Sequence, residues 1–361
     1  MDQVQMEEKR PDFFEVYLNP GRQQAANEGI PFEVDFEITT QCLGACSFCF
    51  TNSLAARRDY MPTEKVLETI DQLSNLGIRQ IWWEGGDPLL HPGVFEALDY
   101  AHTKGLRSAL FCSGLPLNNK SMVKKVYQYF QERRLNLIGI HIDSLNQEVY
   151  DQVHTDPKGL AQKVQGYKNL LEAGFPPDRI LPCLTLTEPA LRTIEDTIDW
   201  YVDEMGANFV ELTVFKPHGT GSMNRHLEPP LSGLKRAFEY RAKKLGNPKW
   251  LQMATTECSS IRCKTNFYIC WDGVVKICPC VPADKFSVGN IYEEGLSQIF
   301  AKQGKKLTHN DLKIKGQCAH CKNNQDNLCW GCRANAFHYL GDFEAADPKC
   351  WLNPEAKELY L

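Results

Sequence analysis

The chain has 361 residues, 43% of them hydrophobic and 24% charged, with a formal net charge of −5. That is enough chain to bury a full core, and its mild acidity leaves no electrostatic footprint for nucleic acid or an anionic membrane surface. No apolar run is long enough to span a bilayer and the opening Met1 to Arg10 lacks a signal-peptide core, so a cytoplasmic protein is expected. Fifteen cysteines in a reducing compartment then argue for metal ligation over disulfides. Three lie at 42–49, ten between 258 and 350, and only Cys112 and Cys183 stand apart, which implies two metal-bearing regions.

Residues 1–30 carry no clear periodic signal and include the turn-prone Asn19-Pro20-Gly21, so they read as an N-terminal extension. From Phe32 to Thr39 the chain alternates strictly, with Phe32, Val34, Phe36 and Ile38 on one face and Glu33, Asp35 and Glu37 on the other. Such a strand either turns its acidic face to water or lines a polar cavity with it; the pattern leaves both open. Directly after it comes Gln41-Cys42-Leu43-Gly44-Ala45-Cys46-Ser47-Phe48-Cys49. Three thiolates from one short loop can hold three irons of a cubane cluster and leave the fourth iron open to a ligand, whereas a purely structural cluster takes four protein ligands. A zinc knuckle or unrelated buried thiols are the plainer reading of the triplet.

Helices and strands then alternate. Helices are expected over Met61–Leu76, Val94–Lys104, Lys120–Glu132, Leu160–Ala173 and Ala190–Glu204, most of them followed by a glycine, with strands over Ile78–Trp83, Leu106–Cys112, Leu135–Ile142, Ile180–Leu186 and Asn208–Val214. Six strands in this order argue for parallel βα units, in an open sheet or a barrel; either places ligands at the carboxyl ends of the strands. Those ends carry Gly85-Gly86-Asp87-Pro88, Ser113-Gly114, His141-Ile142-Asp143-Ser144 and Lys216-Pro217-His218-Gly219. A connector at 226–257 with one helix, Ser232–Leu245, leads to Cys258-x4-Cys263-x9-Gly273-x4-Cys278 and then Cys318-x2-Cys321-x7-Cys329-x2-Cys332-x17-Cys350. Eight thiolates suffice for two fully ligated four-iron clusters, though two Cys-x2-Cys pairs also suit zinc.

Cys-x3-Cys-x-aromatic-Cys, with Phe48 as the aromatic, resembles the hallmark of the radical S-adenosylmethionine (radical SAM) superfamily. The resemblance implies a partial (β/α)6 TIM-like barrel over residues 31–225 and a cluster at Cys42, Cys46 and Cys49. The open iron of that cluster would chelate SAM, which is cleaved to a 5′-deoxyadenosyl radical. Gly85-Gly86-Asp87-Pro88 looks like the Gly-Gly-Glu-Pro motif that grips the SAM amino group, with Asp87 in place of Glu. Ser113 stands near the expected SAM carboxylate and His141 with Asp143 near its ribose. His154 stands where an Arg often pairs with the carboxylate; if its charged form takes that role, SAM affinity should depend on pH.

The C-terminal pattern, residues 258–361, resembles the SPASM domain of radical SAM enzymes that modify peptides. By that resemblance one auxiliary [4Fe-4S] cluster takes Cys258, Cys263, Cys278 and Cys332 and the other Cys318, Cys321, Cys329 and Cys350, making three clusters in all. Pro279 stands where sulfatase-maturing relatives carry an Asp base. Cys183 and Cys280 are the candidate hydrogen donors, although small buried thiols are more often plain core. The implied activity is modification of a ribosomally made precursor peptide, with flavodoxin or ferredoxin as reductant. The alternatives are radical chemistry on a small molecule, a sugar alcohol or a tetrapyrrole, and a non-enzymatic iron–sulfur protein of electron transfer.

Overall fold

In the computed structural model, which describes residues 20–51, 53, 57–256 and 260–356, both faces of strand β1 (Glu33–Thr39) are buried. A strand buried on both sides needs a layer over each. Its apolar face meets helices, with Phe36 stacked on Trp83 at 5.6 Å between ring centroids, and its acidic face points into the interior of the curved sheet. Strands β2 (Gln80–Gly85), β3 (Arg107–Cys112), β4 (Leu137–His141), β5 (Ile180–Leu186) and β6 (Glu211–Val214) follow, each parallel to the one before. Parallel strands require crossovers, and helices α2 (Thr63–Asn75), α3 (Val94–Thr103), α4 (Lys120–Gln131), α6 (Gly159–Glu172) and α7 (Ile194–Asp199) supply them. Helix α4 shows why: Val123, Val126 and Tyr129 recur on one buried face, and Asn119 caps the first turn by accepting from the Ser121 amide at 2.9 Å. The result is the expected partial (β/α)6 barrel.

Three local departures have physical causes. Helix α1 (Pro20–Glu28) lies within the stretch expected to be aperiodic; its sequence has no apolar stripe, and it is held instead by buried Arg22, which pairs with Glu33 at 2.6 Å. The helix expected over 190–204 breaks into a 3₁₀ turn, α7 and a π turn at Trp200–Glu204. The short helix α5 (Gln147–Val153), capped by Asn146 accepting from the Val149 amide, follows the fourth strand. Helix α8 (Leu231–Lys244) matches its expectation to within a residue.

Beyond it, the chain returns to the sheet. After helix α9 (Ser260–Thr265), strand β7 (Asn266–Ile269) adds in parallel to the free edge of β1, and β8 (Val274–Lys276) and β9 (Ser287–Asn290) follow antiparallel. The sheet order is β6-β5-β4-β3-β2-β1-β7-β8-β9. This explains the acidic face of β1. Glu33 and Asp35 each meet Arg262 at 3.0 Å, Asn266 donates to Asp35 at 2.7 Å, and the Tyr268 hydroxyl donates to Glu37 at 2.6 Å. Among the described residues no helix is long and apolar enough to cross a membrane.

Candidate active site at the carboxyl ends of the strands

The cysteine loop leaves the carboxyl end of β1 and is held by backbone from three directions. The Ser47 amide donates to Val153 O at 2.8 Å and Thr155 to Ala45 O at 3.1 Å, so the segment after α5 flanks it. Thr220 donates to Cys49 O at 2.8 Å and the Asn224 amide side chain to Ser47 O at 2.9 Å, so the loop after β6 closes over it. From β2, the Gly86 and Asp87 amides donate to Thr39 O and Gln41 O at 2.7 and 2.8 Å. A Cβ on Gly86 would lie 2.2 Å from Gln41 O, so only glycine lets these two strand ends meet. The glycine pair therefore serves close approach of backbone to backbone.

Within the loop, the Gly44 amide donates to Cys42 Sγ at 3.3 Å, and a methyl group on Gly44 would stand 3.5 Å from Cys42 Sγ and 3.7 Å from Cys46 Sγ. Thr51 Oγ1 lies 3.3 Å from Cys49 Sγ. All three cysteines line a cavity of about 270 Å³. Burial pushes the Cys42 thiol up to about 12 and Cys46 well above its usual value, so these protons leave only when a metal takes their place.

Of the other expected contacts, Gly85, Gly86, Ser113, His141 and Phe48 line the same cavity. Phe48 packs its ring 5.4 Å from His141 and 5.5 Å from His154. Asp87 does not point into the cavity: it is fully buried, accepts from Ser113 Oγ at 2.6 Å and the Leu89 amide at 3.1 Å, and caps the turn that follows. Burial outweighs these bonds and lifts its carboxyl to about 6. Asp143 also faces protein. His141 and His154 each reach it at 3.0 Å, and against its burial they hold its carboxyl well below the usual range.

His154 departs from its expected role. Its Nε2 is bound to Asp143, its ring stacks on Tyr150 at 4.1 Å, and it does not line the cavity. Burial, then the Lys163 charge, bring it down to about 4, so it is neutral near pH 7 and is no stand-in for arginine.

Cys183 and Cys280 both line the cavity. The Cys183 thiol donates to Glu211 Oε2 at 3.3 Å; burial first and then Glu211 push it far up, which keeps it an S–H group. Cys280 shares a hydrogen bond with Cys278 and feels Cys332, so these three thiols of the C-terminal region converge beside the cavity. Cys263 is half-buried in α9, and Cys258 lies outside the described residues. A second group gathers Cys318, Cys321, Cys329 and Cys350, each within electrostatic reach of another. There the Gly331 amide donates to Cys329 Sγ at 3.3 Å and the Asp347 amide to Cys318 Sγ at 3.4 Å.

None of the fourteen described cysteines is in a disulfide. Among the described residues no three His, Cys, Asp or Glu side chains could share one metal ion. Sequence reasoning missed Lys163, Glu84, Glu211 and Arg262, which also line the cavity. For Glu84 and Glu211 strand alternation of the kind seen in β1 was the available signal, though it leaves water and a cavity equally open; Lys163 and Arg262 had none.

Residues 36–201 match the sequence model of the Radical SAM superfamily. They are a radical SAM domain. The protein is thus an enzyme that uses SAM and an iron–sulfur cluster. Over 357 residues it is 25% identical to the AdoMet-dependent heme synthase of Methanosarcina barkeri (strain Fusaro / DSM 804), covering 91% of this chain and 98% of that protein. Its structure is similar to anSMEcpe with bound AdoMet (TM-score 0.66, 17% identity, 88% of this chain and 93% of that chain). It is similar, too, to Streptococcus suis SuiB bound to precursor peptide SuiA (TM-score 0.67, 14% identity, 97% and 84%). At these identities the two structures speak for the fold alone.

Proposed function

We propose that this radical SAM enzyme binds its cluster through Cys42, Cys46 and Cys49, holds SAM in the cavity beside them, and modifies a ribosomally made precursor peptide. The observation that carries this reading is the shared cavity: the three loop thiols, the S–H of Cys183 on β5 and Cys280 from the C-terminal region all border one space of about 270 Å³. A peptide substrate is favoured by the likeness of the fold to SuiB bound to precursor peptide SuiA. Bound in the cavity, cluster and SAM supply a radical that removes hydrogen from the substrate. The protein's own part is to exclude water, to hold SAM against Phe48, Gly85, Gly86 and His141, and to offer Cys183 or Cys280 as hydrogen donor.

In the same reading, residues 258–361 form a SPASM domain after a linker at 226–257 and the barrel at 31–225, with residues 1–30 as an N-terminal extension. It carries two auxiliary [4Fe-4S] clusters, one on Cys258, Cys263, Cys278 and Cys332 and one on Cys318, Cys321, Cys329 and Cys350. The convergence of the last four thiols supports the second set; Cys280 beside Cys278 and Cys332 makes it a further candidate for the first. A flavodoxin or ferredoxin supplies electrons.

A second reading has its own support: the relative named a heme synthase aligns over 98% of its length, which favours a tetrapyrrole presenting a side arm to the cavity. Anaerobic incubation of the reconstituted enzyme with SAM, reductant and either the peptide encoded beside its gene or an iron tetrapyrrole separates the two. A mass change in the peptide supports the first, and a shifted tetrapyrrole mass and absorption spectrum replaces it with the second.

A further inference from the structure

Two groups of carboxyls face the inside of the curved sheet, and only one of them is answered by protein. Glu33 meets Arg22 and Arg262, Asp35 meets Arg262 and Asn266, and Glu37 takes the Tyr268 hydroxyl. Glu84 on β2 and Glu211 on β6, which line the cavity, have no such partners among the described residues. Glu211 accepts the weak S–H of Cys183 at 3.3 Å, and the Glu84 carboxyl has neither a hydrogen bond nor an ion pair, although it feels the charge of Glu211. The cations of the cavity wall lie elsewhere or are engaged: Lys163 stands beside Cys42 and Cys46, Lys216 donates to Val214 O at 3.1 Å, and Arg262 is held by Glu33 and Asp35.

A second feature of the same wall points the same way. The rings of Trp82 on β2 and Phe111 on β3 line the cavity with their centroids 5.4 Å apart, and Trp82, two residues before Glu84, shares its face of the strand. Phe111 lies against Gly139, where a Cβ would stand 2.5 Å from the ring. Aromatic faces attract a cation and pack along an alkyl stem, and carboxyls beside them receive its N–H groups. Because no three acidic, histidine or cysteine side chains come together around one metal ion among the described residues, the cation that fits this wall is an organic one with several N–H donors. We infer that Glu84 and Glu211, with Trp82 and Phe111, form the part of the cavity that takes a cationic group of the substrate, an ammonium or a guanidinium. On the peptide reading above, on which this rests, that group is a lysine or arginine side chain, held close to the Cys183 thiol. Burial raises both carboxyls above their usual range, a shift that a bound cation opposes.

The test is calorimetric binding of n-butylguanidinium and n-butylammonium, with n-butylurea as the neutral isostere, to the anaerobically reconstituted, SAM-loaded enzyme. Wild type, Glu84→Gln, Glu211→Gln and the double variant are compared. In wild type the better of the two cations should bind about tenfold or more tightly than the urea, since charge-assisted hydrogen bonds are about twice as strong as neutral ones. Each single variant should weaken it by about 3- to 10-fold, and the double variant should bring it within about twofold of the urea. SAM affinity on the same samples should stay within about twofold of wild type, which also shows that the variants are folded.

Equal affinity for the cations and the urea in wild type, or a preference for the cations that survives in the double variant, would overturn the assignment. So would a loss of SAM affinity of about tenfold or more with probe binding unchanged, which would give the carboxyls to the ammonium of SAM. A preference lost in the double variant, in an enzyme that modifies an iron tetrapyrrole and no peptide, would uphold the cation site and remove the peptide, a separate failure.

Discussion

At His154 burial decides between two roles that a histidine beside a carboxylate can play. The neutral ring, shifted down to about 4, cannot titrate between about pH 6 and 8.5, so SAM affinity of the reconstituted enzyme should show no dependence on it across that range. Binding titrations that weaken steeply with rising pH in wild type, and not in His154→Gln, would restore the charged role. Glu37 behaves in the opposite sense. Burial raises it to about 7 despite the Tyr268 hydrogen bond, so the folded chain keeps a proton that the unfolded chain gives up near 4.5. Its contribution to stability is present at low pH and is lost as pH rises from about 4.5 through 7. Glu37→Gln keeps an acceptor for Tyr268 and removes the titration; its melting temperature should exceed that of wild type at about pH 8, with the gap closing near pH 5. The strand pattern placed Glu37 opposite Phe36 and Ile38 but could not say what it would meet, because its partner Tyr268 is 231 positions away.

The elements were legible where one periodicity ruled. Helices α2, α3, α4, α6 and α8 follow the apolar spacing closely because each buries one face against one layer, and strand β5, a short apolar run, is buried on both faces. Strands β7 to β9 were not foreseen, since they are three or four residues long and sit among metal-ligand spacings that draw the eye to cysteines. Their docking is held by charge. Burial raises both Glu33 and Asp35, yet Glu33 faces two guanidiniums and ends below its usual range, while Asp35 shares one of them, lies near Glu33 and ends above it. Replacing Arg262 by Met removes the one cation paired with Asp35 among the described residues. Since that guanidinium is 19% exposed, a loss near the low end for a broken buried pair is expected, about 3 kcal/mol. Urea denaturation reads it, and a midpoint unchanged from wild type would show that β7 docks by backbone pairing and packing alone.

Across the whole molecule, the three-cysteine loop and the second thiol group are built from separate parts of the chain. The loop hangs from β1, β2 and the segments after α5 and β6, whereas Cys318, Cys321, Cys329 and Cys350 converge without any of these. Joint replacement of Cys318 and Cys350 by Ala should therefore remove about four irons, leave SAM cleavage near wild type and stop product formation. Unchanged product formation after that loss would mark the second cluster as scaffold. The three-cysteine loop was the most legible feature, because it is written in consecutive residues; the cavity it borders was the least, being assembled from five strands, two helices and the loops between them. The most direct test of the account is 5′-deoxyadenosine formation from SAM by anaerobically reconstituted, reduced protein, compared with Cys42→Ala/Cys46→Ala/Cys49→Ala. Wild type should form 5′-deoxyadenosine and methionine while the triple variant forms neither; formation at the wild-type rate by the triple variant would contradict the assignment of these cysteines.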